Sequence, residues 1–456
     1  MRSTLSSITL HFLHLGLETA YFNPADLSAL NDTARSMVAR RARLLGPAYR
    51  LFYRKPVEIS RAKGVLLYDR HGNEFLDAYN NVVSVGHAHP RVIEAVTRQM
   101  EILCTHTRYL QDGILDYAED LLGTYEGRIG ASGHAMFTCT GSEANDLALR
   151  IAKHHTGNRG IIVTSEAYHG TSEMTAGFSP SLGANSALGQ FVRLVPSPDP
   201  YRIPHDKLPQ WFAEQVALQI DDLKWHGEGL AAFVVDSLFS SDGIYAQPTN
   251  LLGPVIDLVH REGGLFVADE VQCGFARTGD RFWGHQRHNV DPDIATMGKP
   301  MGNGFPVAGI AIAPEIVESF GNDVRYFNTF GGNTVAIAAA QATLNIIRDE
   351  SLLANSKEIG AVIQGGLRSL AERYEFLGDI RGAGLCVGVE IVKDRATKTP
   401  DGARAADVVH GLRERQVLIS ATGLHANTLK IRPPLVFNAA NAGRLLDTLE
   451  AVLGEV

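Results

Sequence analysis

The stretch Leu265–Phe275, LFVADEVQCGF, decides the fold. Its first five residues form an apolar run that ends at two adjacent carboxylates, which predicts a buried strand with Asp269 at its carboxyl end. The preceding residues 249–264, TNLLGPVIDLVHREGG, have helical periodicity and end on paired glycines, which predicts a helix. A carboxylate at the end of an apolar strand is costly unless it meets a positive charge. Asp269 is therefore a candidate partner for a cationic ligand, with a structural salt bridge or a metal as the alternatives.

Similar apolar runs alternate with amphipathic segments on both sides of this stretch. Strands are predicted at 134–139, 159–165, 230–237, 294–298 and 307–313. Apolar strands separated by helices predict an α/β fold, with a mostly parallel sheet sandwiched by helices. Alternating patterns at both ends of the chain predict a smaller α+β domain, with a turn at 70–73. The predicted division is an N-terminal extension (1–37), a segment packing with the small domain (38–85), a large domain (86–335) and a C-terminal small domain (336–456).

Composition narrows the function classes. The chain has 456 residues, 45% of them hydrophobic and 20% charged, with a net charge of −8, so neither nucleic acid nor a membrane is indicated as a partner. Four cysteines lie far apart without a CxxC pair, which predicts reduced thiols and a cytoplasmic location. Residues 1–22 are mildly apolar without a small-residue cleavage site, which favours an extension over a signal peptide.

Three loops that follow predicted strands carry further candidate residues. Thr140-Gly141-Ser142 opens a predicted helix, where free N–H groups can hold a phosphate, although a plain helix cap has the same residues. Lys299 lies between Gly298 and Pro300 among small and apolar residues, which favours a buried amine of lowered pKa over a surface charge. The ring of Tyr168 can stack on a planar heterocycle or pack in the core.

A phosphate cradle, a buried acid, a loop lysine and an aromatic platform are together what pyridoxal 5′-phosphate (PLP) needs. The chain resembles the class III (ω-type) aminotransferases of PLP fold type I, the aspartate aminotransferase-like fold, over residues 38–455. The resemblance rests on VGHAHP, TGSEANDLALR, AYHG, VADEVQCGFARTG, TMGKPMGNGFP, YFNTFGGN, DIRGAGL and LKIRPPL. The spacing between Asp269 and Lys299 also fits that family.

The resemblance implies a role for each matched residue around the cofactor ring. Lys299 would hold PLP as a Schiff base and move the proton. Asp269 would bind the pyridine nitrogen, and Gln272 would reach the phenolic oxygen. Tyr168 would cover the ring face.

The resemblance also implies a phosphate site shared between subunits. Gly141 and Ser142 would hold the phosphate, and Thr329 would reach the phosphate of the neighbouring subunit. The active unit would then be a homodimer or a tetramer, with active sites at the subunit interface. His87 and His89 have a spacing compatible with metal ligands, but the family carries this stretch without a metal, and none is predicted.

Substrate residues separate the branches of the family. Arg432 resembles the arginine that binds the substrate carboxylate, with a structural role as the alternative. In ω-amino-acid enzymes a Glu neutralises that arginine, whereas this chain has Ser241 at the matching position of DSLFSSDG (236–243). Asn81 would line the pocket, and its surroundings resemble the ethanolamine-phosphate phospho-lyase and alanine-glyoxylate aminotransferase 2-like group.

The sequence is interpreted as an aminotransferase that moves an amino group from a primary amine or amino acid to a keto acid such as pyruvate. The alternative is a PLP-dependent phospho-lyase that eliminates phosphate from phosphoethanolamine or a similar amine. In both reactions Lys299 removes a proton from the carbon next to the nitrogen. A third interpretation, a catalytically silent binding protein on the same fold, is opposed by the intact set of cofactor residues.

Overall fold

The computed structural model describes residues 21–456, so most of the predicted N-terminal extension lies outside the described residues. The helices are α1 (Asp32–Leu45), α2 (Pro90–Ile102), α3 (Asp112–Leu122), α4 (Gly127–Ser132), α5 (Gly141–Thr156), α6 (Glu173–Ala176), α7 (Leu208–Trp225), α8 (Gly253–Arg261), α9 (Pro314–Asp323), α10 (Thr334–Asp349), α11 (Leu352–Ala371), α12 (Gly402–Glu414) and α13 (Ala439–Leu453). Short 3₁₀ turns lie at Pro24–Ala29, Pro180–Leu182 and His285–His288.

The strands are β1 (Ile59–Lys63), β2 (Leu66–Asp69), β3 (Glu74–Asp77), β4 (His134–Thr138), β5 (Gly160–Thr164), β6 (Val192–Val195), β7 (Leu230–Val235), β8 (Leu265–Asp269), β9 (Ile294–Met297), β10 (Ala308–Ile312), β11 (Leu377–Ala383), β12 (Cys386–Asp394), β13 (Thr399–Pro400), β14 (Val417–Leu418), β15 (Ser420–Thr422) and β16 (Thr428–Ile431). The strand predicted at LFVAD is β8, with the predicted bounds. The helix predicted before it is shorter, Gly253–Arg261, because Pro254 lacks the backbone donor of a helix interior and occupies the first turn.

The central sheet has seven strands in the order β4-β10-β9-β8-β7-β5-β6. Strands β5 to β9 are parallel, and β10 runs antiparallel to both of its neighbours. Alternate residues of one strand enter different core layers: Ala232 and Val234 pack in one cluster, whereas Phe233 and Val235 pack in the other. Burial of both faces explains why these strands are continuous apolar runs, and the predicted α/β fold with a mostly parallel sheet is confirmed.

The carboxyl ends of β4, β5, β7, β8 and β9 lie at one edge of this sheet, since these strands run in the same direction. Each of these strands is followed by one of the loops in which the sequence analysis found candidate residues. Ligands of such sheets bind beyond the carboxyl ends of the strands. The sheet therefore brings residues as far apart in the chain as Gly141 and Lys299 into one site.

Both ends of the chain build the remaining sheets. Strands β1, β2 and β3 form a meander whose last strand pairs in parallel with β14, at Leu76 and Val417. The predicted turn at 70–73 is confirmed: Asp69 accepts hydrogen bonds from the backbone of His71 and Asn73 and closes the β2–β3 hairpin. Strands β11, β12, β16 and β15 form an antiparallel sheet, with β13 on β12. The predicted boundary after residue 37 lies within α1, and the four-part division stays a prediction.

Two further findings bear on the predictions from composition. No helix within residues 21–456 is long and apolar enough to cross a bilayer. All four cysteines are free thiols, with Cys273 and Cys386 buried. The cytoplasmic location stays a prediction.

Candidate active site

Lys299 follows β9 and reaches a cavity of about 150 Å³ at the carboxyl edge of the central sheet. Six of the ten predicted site residues line this cavity: Gly141, Ser142, Tyr168, Asp269, Gln272 and Lys299. The Gly298 backbone passes close to the start of α5, since an added Cβ there would lie 3.3 Å from the nitrogen of Gly141. The cavity therefore forms where the lysine loop and the first turn of α5 meet.

Asp269 is a buried carboxylate held by three donors. Its Oδ2 accepts from Asn145 Nδ2 at 2.9 Å and lies 2.7 Å from His169 Nδ1, and its Oδ1 accepts from the Val271 backbone at 3.0 Å. Burial raises the pKa of Asp269, but the contacts to His169 and Asn145 outweigh burial and bring the pKa below its usual value. A carboxylate that stays ionised in a buried wall is matched to a protonated ring nitrogen.

The amine of Lys299 lies in a setting that favours its neutral form. Burial first, and then the charge of Arg432, lower the pKa of Lys299, while Asp269 and Asp236 oppose part of this effect. The Lys299 Nζ lies 5.8 Å from the centre of the Tyr168 ring, which lines the same cavity. A neutral amine is the form that attacks a carbonyl carbon.

The first turn of α5 is the candidate anion site. Thr140 caps the helix through its side chain, and the first N–H groups of a helix have no acceptor within the helix. Ser142 Oγ accepts from the Thr171 backbone at 3.0 Å, which ties the turn to the loop that carries Tyr168. Gly170 in that loop has a φ of +144°, and a Cβ there would lie 2.4 Å from Ser142 Oγ. These contacts keep the cradle open for a phosphate.

Two cationic side chains form a wall beside this cavity, and we call Lys430 and Arg432 the basic pair. Lys430 lies on β16 and Arg432 directly follows it, so strand alternation directs both to the same side. Arg432 donates through Nη1 to Gln272 Oε1, which is also 3.5 Å from Lys430 Nζ, and Lys430 donates to the Ser240 carbonyl at 3.0 Å. Both side chains are buried. Burial and the charge of Arg432 lower the pKa of Lys430 to about 7.

A second cavity, of about 880 Å³, adjoins the first at Tyr168, which lines both. Ser241 and Lys430 lie in its wall, together with Glu166. Burial and the neighbouring charge of Asp242 raise the pKa of Glu166 to about 7. The predicted substrate residues Ser241 and Arg432 are therefore at or next to a space that a substrate can occupy.

Three predicted residues line neither cavity: Asn81, Thr329 and Arg432, the last of which contacts Gln272 in the wall of the smaller one. Asn81 is 2% exposed, and its Nδ2 has no hydrogen-bond partner within the described part of the chain. Thr329 lies at the surface of this single chain, in the segment between α9 and α10. Its predicted reach to a neighbouring subunit stays a prediction. Gln272 lines the smaller cavity and its amide oxygen contacts the basic pair, and its predicted reach to the phenolic oxygen stays a prediction.

The two histidines with metal-like spacing are engaged separately. His87 Nε2 lies 2.7 Å from Asp77, and His89 Nε2 lies 3.4 Å from Glu350. From residue 21 onward, the structure contains no group of three or more His, Cys, Asp or Glu side chains placed to hold a metal ion.

Sequence reasoning missed four residues of the site: His169, Asn145, Asp236 and Lys430. His169 and Asn145 lie within stretches that carried the resemblance, AYHG and TGSEAND, next to residues that were singled out. Lys430 is two positions before Arg432, and the alternation of a strand would have placed it on the same face.

The site fits PLP. The ionised Asp269 matches the ring nitrogen, the Lys299 amine matches the aldehyde carbon, and the start of α5 matches the phosphate. With the fold, these features define an enzyme that uses PLP on fold type I. The chain belongs to the class-III aminotransferase family, whose model matches residues 52–453.

Relatives within the family differ in activity. The chain is 38% identical to ethanolamine-phosphate phospho-lyase homolog 1 of Caenorhabditis elegans, over 91% of this chain and 93% of that protein. It is 36% identical to an alanine–glyoxylate aminotransferase 2-like protein of Drosophila melanogaster, over 90% of this chain and 86% of that one. A phospholyase from Arthrobacter, solved in complex with phosphoethanolamine, superimposes with a TM-score of 0.89 at 40% identity, covering 92% of this chain and all of that chain.

Proposed function

We propose that the enzyme is a phospho-lyase that eliminates phosphate from phosphoethanolamine or a similar short O-phosphorylated primary amine. With phosphoethanolamine and water, the products would be acetaldehyde, ammonia and inorganic phosphate. The observation that carries this proposal is the basic pair, Lys430 and Arg432, beside the cavity that Lys299 reaches. Two adjacent cations suit a phosphate dianion better than a neutral substituent.

Within the described part of the chain, the side-chain hydrogen-bond partners of the basic pair are neutral groups. Lys430 donates to the Ser240 carbonyl, Arg432 lies 3.4 Å from the Tyr79 carbonyl, and both contact the Gln272 amide. Two buried cations without a carboxylate against them are costly, and an incoming anion would relieve that cost. At position 241, where the resemblance places a neutralising Glu in ω-amino-acid enzymes, this chain has a serine.

Each of the remaining roles belongs to a residue that lines the cavity. PLP, when bound, takes up the negative charge that forms on the carbon next to the substrate nitrogen. Lys299 would take the proton from that carbon, Asp269 would keep the ring nitrogen protonated, and Tyr168 would cover the ring. The 40% identity to a phospholyase that was solved with phosphoethanolamine supports the same chemistry.

Transamination is the second candidate, although the sequence analysis favoured it over phosphate elimination. Arg432 can bind a carboxylate in place of a phosphate, so a keto acid such as pyruvate could be the amino acceptor. The similarity to an alanine–glyoxylate aminotransferase 2-like protein supports this candidate. Both reactions start with the same proton transfer to Lys299, and the fate of the substrate decides between them.

We propose a homodimer as the active unit. Close to Thr329, the rings of Phe327 and His106 meet at 5.8 Å, and the exposed apolar residues Leu110 and Phe330 flank this contact in sequence. An exposed apolar surface of this kind is typical of a subunit interface. Thr329 lies within it, where it would reach the cofactor phosphate of the partner.

The decisive experiment gives the PLP-loaded enzyme phosphoethanolamine as its only substrate. We expect phosphate and acetaldehyde to be released in equal amounts over many turnovers without a keto acid. A reaction that stops after one turnover and resumes on addition of pyruvate, with alanine as a product, would replace the proposal by transamination. Lys299→Ala should abolish either reaction and remove the visible absorption of the lysine–cofactor linkage.

A further inference from the structure

Lys430 is a buried cation that faces the proposed substrate space. It is 6% exposed, it lies in the wall of the large cavity, and among residues 21–456 its Nζ contacts the Ser240 carbonyl and the Gln272 amide. An arginine such as Arg432 can bind an anion through its guanidinium but is not a proton donor in catalysis. A lysine can do both.

In the proposed reaction, the departing phosphate oxygen needs a proton. When the C–O bond breaks, its electron pair stays on the departing oxygen. A phosphate ester dianion that leaves without a proton would depart as the phosphate trianion, which is a strong base. A proton delivered to the departing oxygen as the bond breaks lets the group leave as hydrogen phosphate, which is a far better leaving group.

We propose that Lys430 is the general acid that protonates the leaving phosphate oxygen. This inference rests on the proposed phospho-lyase function. The Lys430 ammonium binds the phosphate beside Arg432, gives one proton to the departing oxygen and becomes a neutral amine. Solvent then returns the proton before the next turnover.

The charges around Lys430 favour such a cycle. Arg432 from the same strand and Lys299 from the loop after β9 disfavour the charged form, whereas Asp236 after β7 and Cys386 on β12 act in the opposite direction. With burial as the largest cause, the pKa of Lys430 falls to about 7. Lys430 can therefore exchange a proton near neutral pH. A bound dianion would raise the pKa of Lys430 and favour its protonated form.

Glu166 is the competing donor, because it lines the same cavity and its pKa is also raised to about 7. When ionised, however, Glu166 repels a phosphate dianion, whereas the protonated form of Lys430 attracts it. If Lys430 and not Glu166 is the proton donor, the Glu166→Gln variant should still eliminate phosphate from phosphoethanolamine.

The main test compares two leaving groups in Lys430→Met and Lys430→Arg. Ethanolamine O-sulfate has nearly the shape of phosphoethanolamine, but sulfate leaves without a proton because its conjugate acid is strong. We expect the ratio of kcat for the phosphate ester to kcat for the sulfate ester to fall by about 100-fold in both variants. Lys224→Met, which removes a half-exposed lysine on α7, is the matched control and should keep the wild-type ratio. An unchanged ratio in the Lys430 variants, or the same fall in Glu166→Gln, would overturn the assignment.

Proton uptake gives a measurement that is independent of turnover. Because burial and the charge of Arg432 lower the pKa of Lys430, binding of inorganic phosphate to the PLP-loaded wild-type enzyme above neutral pH should be accompanied by proton uptake. Calorimetric titration in buffers of different ionisation enthalpy measures that uptake. Lys430→Met and Lys430→Arg should lose the uptake, and Lys430→Arg should still bind phosphate. Equal uptake by all variants would refute the role of Lys430 while leaving the proposed function intact. A wild-type enzyme that takes up the proton but does not act on phosphoethanolamine would refute the proposed function, and with it the general-acid role that rests on it.

Discussion

The Nδ1 atom of His169 lies 2.7 Å from Oδ2 of Asp269, and both side chains are buried. The backbone of His169 is itself fixed, because its N–H donates to Ser179 Oγ and its carbonyl accepts from Asn145 Nδ2. The contact keeps Asp269 ionised in a wall where burial alone would favour its protonated form. His169 is thus a positioning residue that acts through Asp269.

We expect His169→Phe to weaken PLP binding and to lower kcat, each by about tenfold or more, because a raised pKa of Asp269 weakens its pairing with the ring nitrogen. His169→Asn is the matched variant, since its amide can replace the Nδ1 donor. PLP affinity measured by fluorescence and steady-state kinetics test the pair. Equal losses in the two variants would show that the ring of His169 matters through packing and not through its hydrogen bond.

Gly170 should not tolerate a side chain. Its φ of +144° is unfavourable for other residues, and a Cβ would lie 2.4 Å from Ser142 Oγ and 2.7 Å from Thr175 Oγ1. We expect Gly170→Ala to lower the free energy of unfolding by about 1–3 kcal/mol and to weaken PLP binding. Gly365→Ala on α11, where an added Cβ meets nothing within 4 Å, should be neutral or stabilising by about 0.5–1 kcal/mol. Thermal unfolding of both apoenzymes tests this contrast.

The central sheet could largely be predicted because its strands are buried on both faces. Strand β6, VRLV, was missed because it lies at the edge of the sheet and carries Arg193, so its four residues do not form a continuous apolar run. The direction of β10 could not be predicted either. Its apolar run is compatible with a parallel or an antiparallel strand, and the short connection from β9 decides the direction.

The six predicted cofactor residues that line the smaller cavity could be singled out because each lies at or after the end of a predicted strand, within a distinctive motif. Of the basic pair, the sequence analysis predicted Arg432 but not Lys430. Lys430 occurs within the short strand TLKI, and its contact with Gln272 joins segments 158 positions apart. Asn81 is close in sequence to the matched stretch, but its burial depends on packing that no local pattern encodes. Thr329 cannot be placed from one chain, because its predicted partner belongs to another.

Ser241→Glu should weaken phosphate binding by placing a carboxylate in the wall that carries Lys430. The new charge would neutralise the basic pair and repel the phosphate dianion, so we expect KM for phosphoethanolamine to rise about tenfold or more, equivalent to about 1.4 kcal/mol. Ser241→Gln has nearly the same size without the charge and should change KM far less. Steady-state kinetics at two salt concentrations test the comparison. A similar KM in the two variants would show that bulk, and not charge, is responsible.

Leu110→Glu tests the proposed homodimer. Leu110 is completely exposed in the single chain. It directly follows Tyr109, whose ring stacks on His106, and His106 in turn contacts Phe327, two residues before Thr329. Because burial of an isolated carboxylate in an apolar interface is strongly unfavourable, we expect Leu110→Glu to be monomeric and to bind PLP more weakly. Trp225→Glu on α7 removes an apolar side chain that is 87% exposed and should remain dimeric. Light scattering coupled to gel filtration distinguishes the two masses; a dimeric Leu110→Glu variant with normal PLP affinity would place the interface elsewhere on the chain.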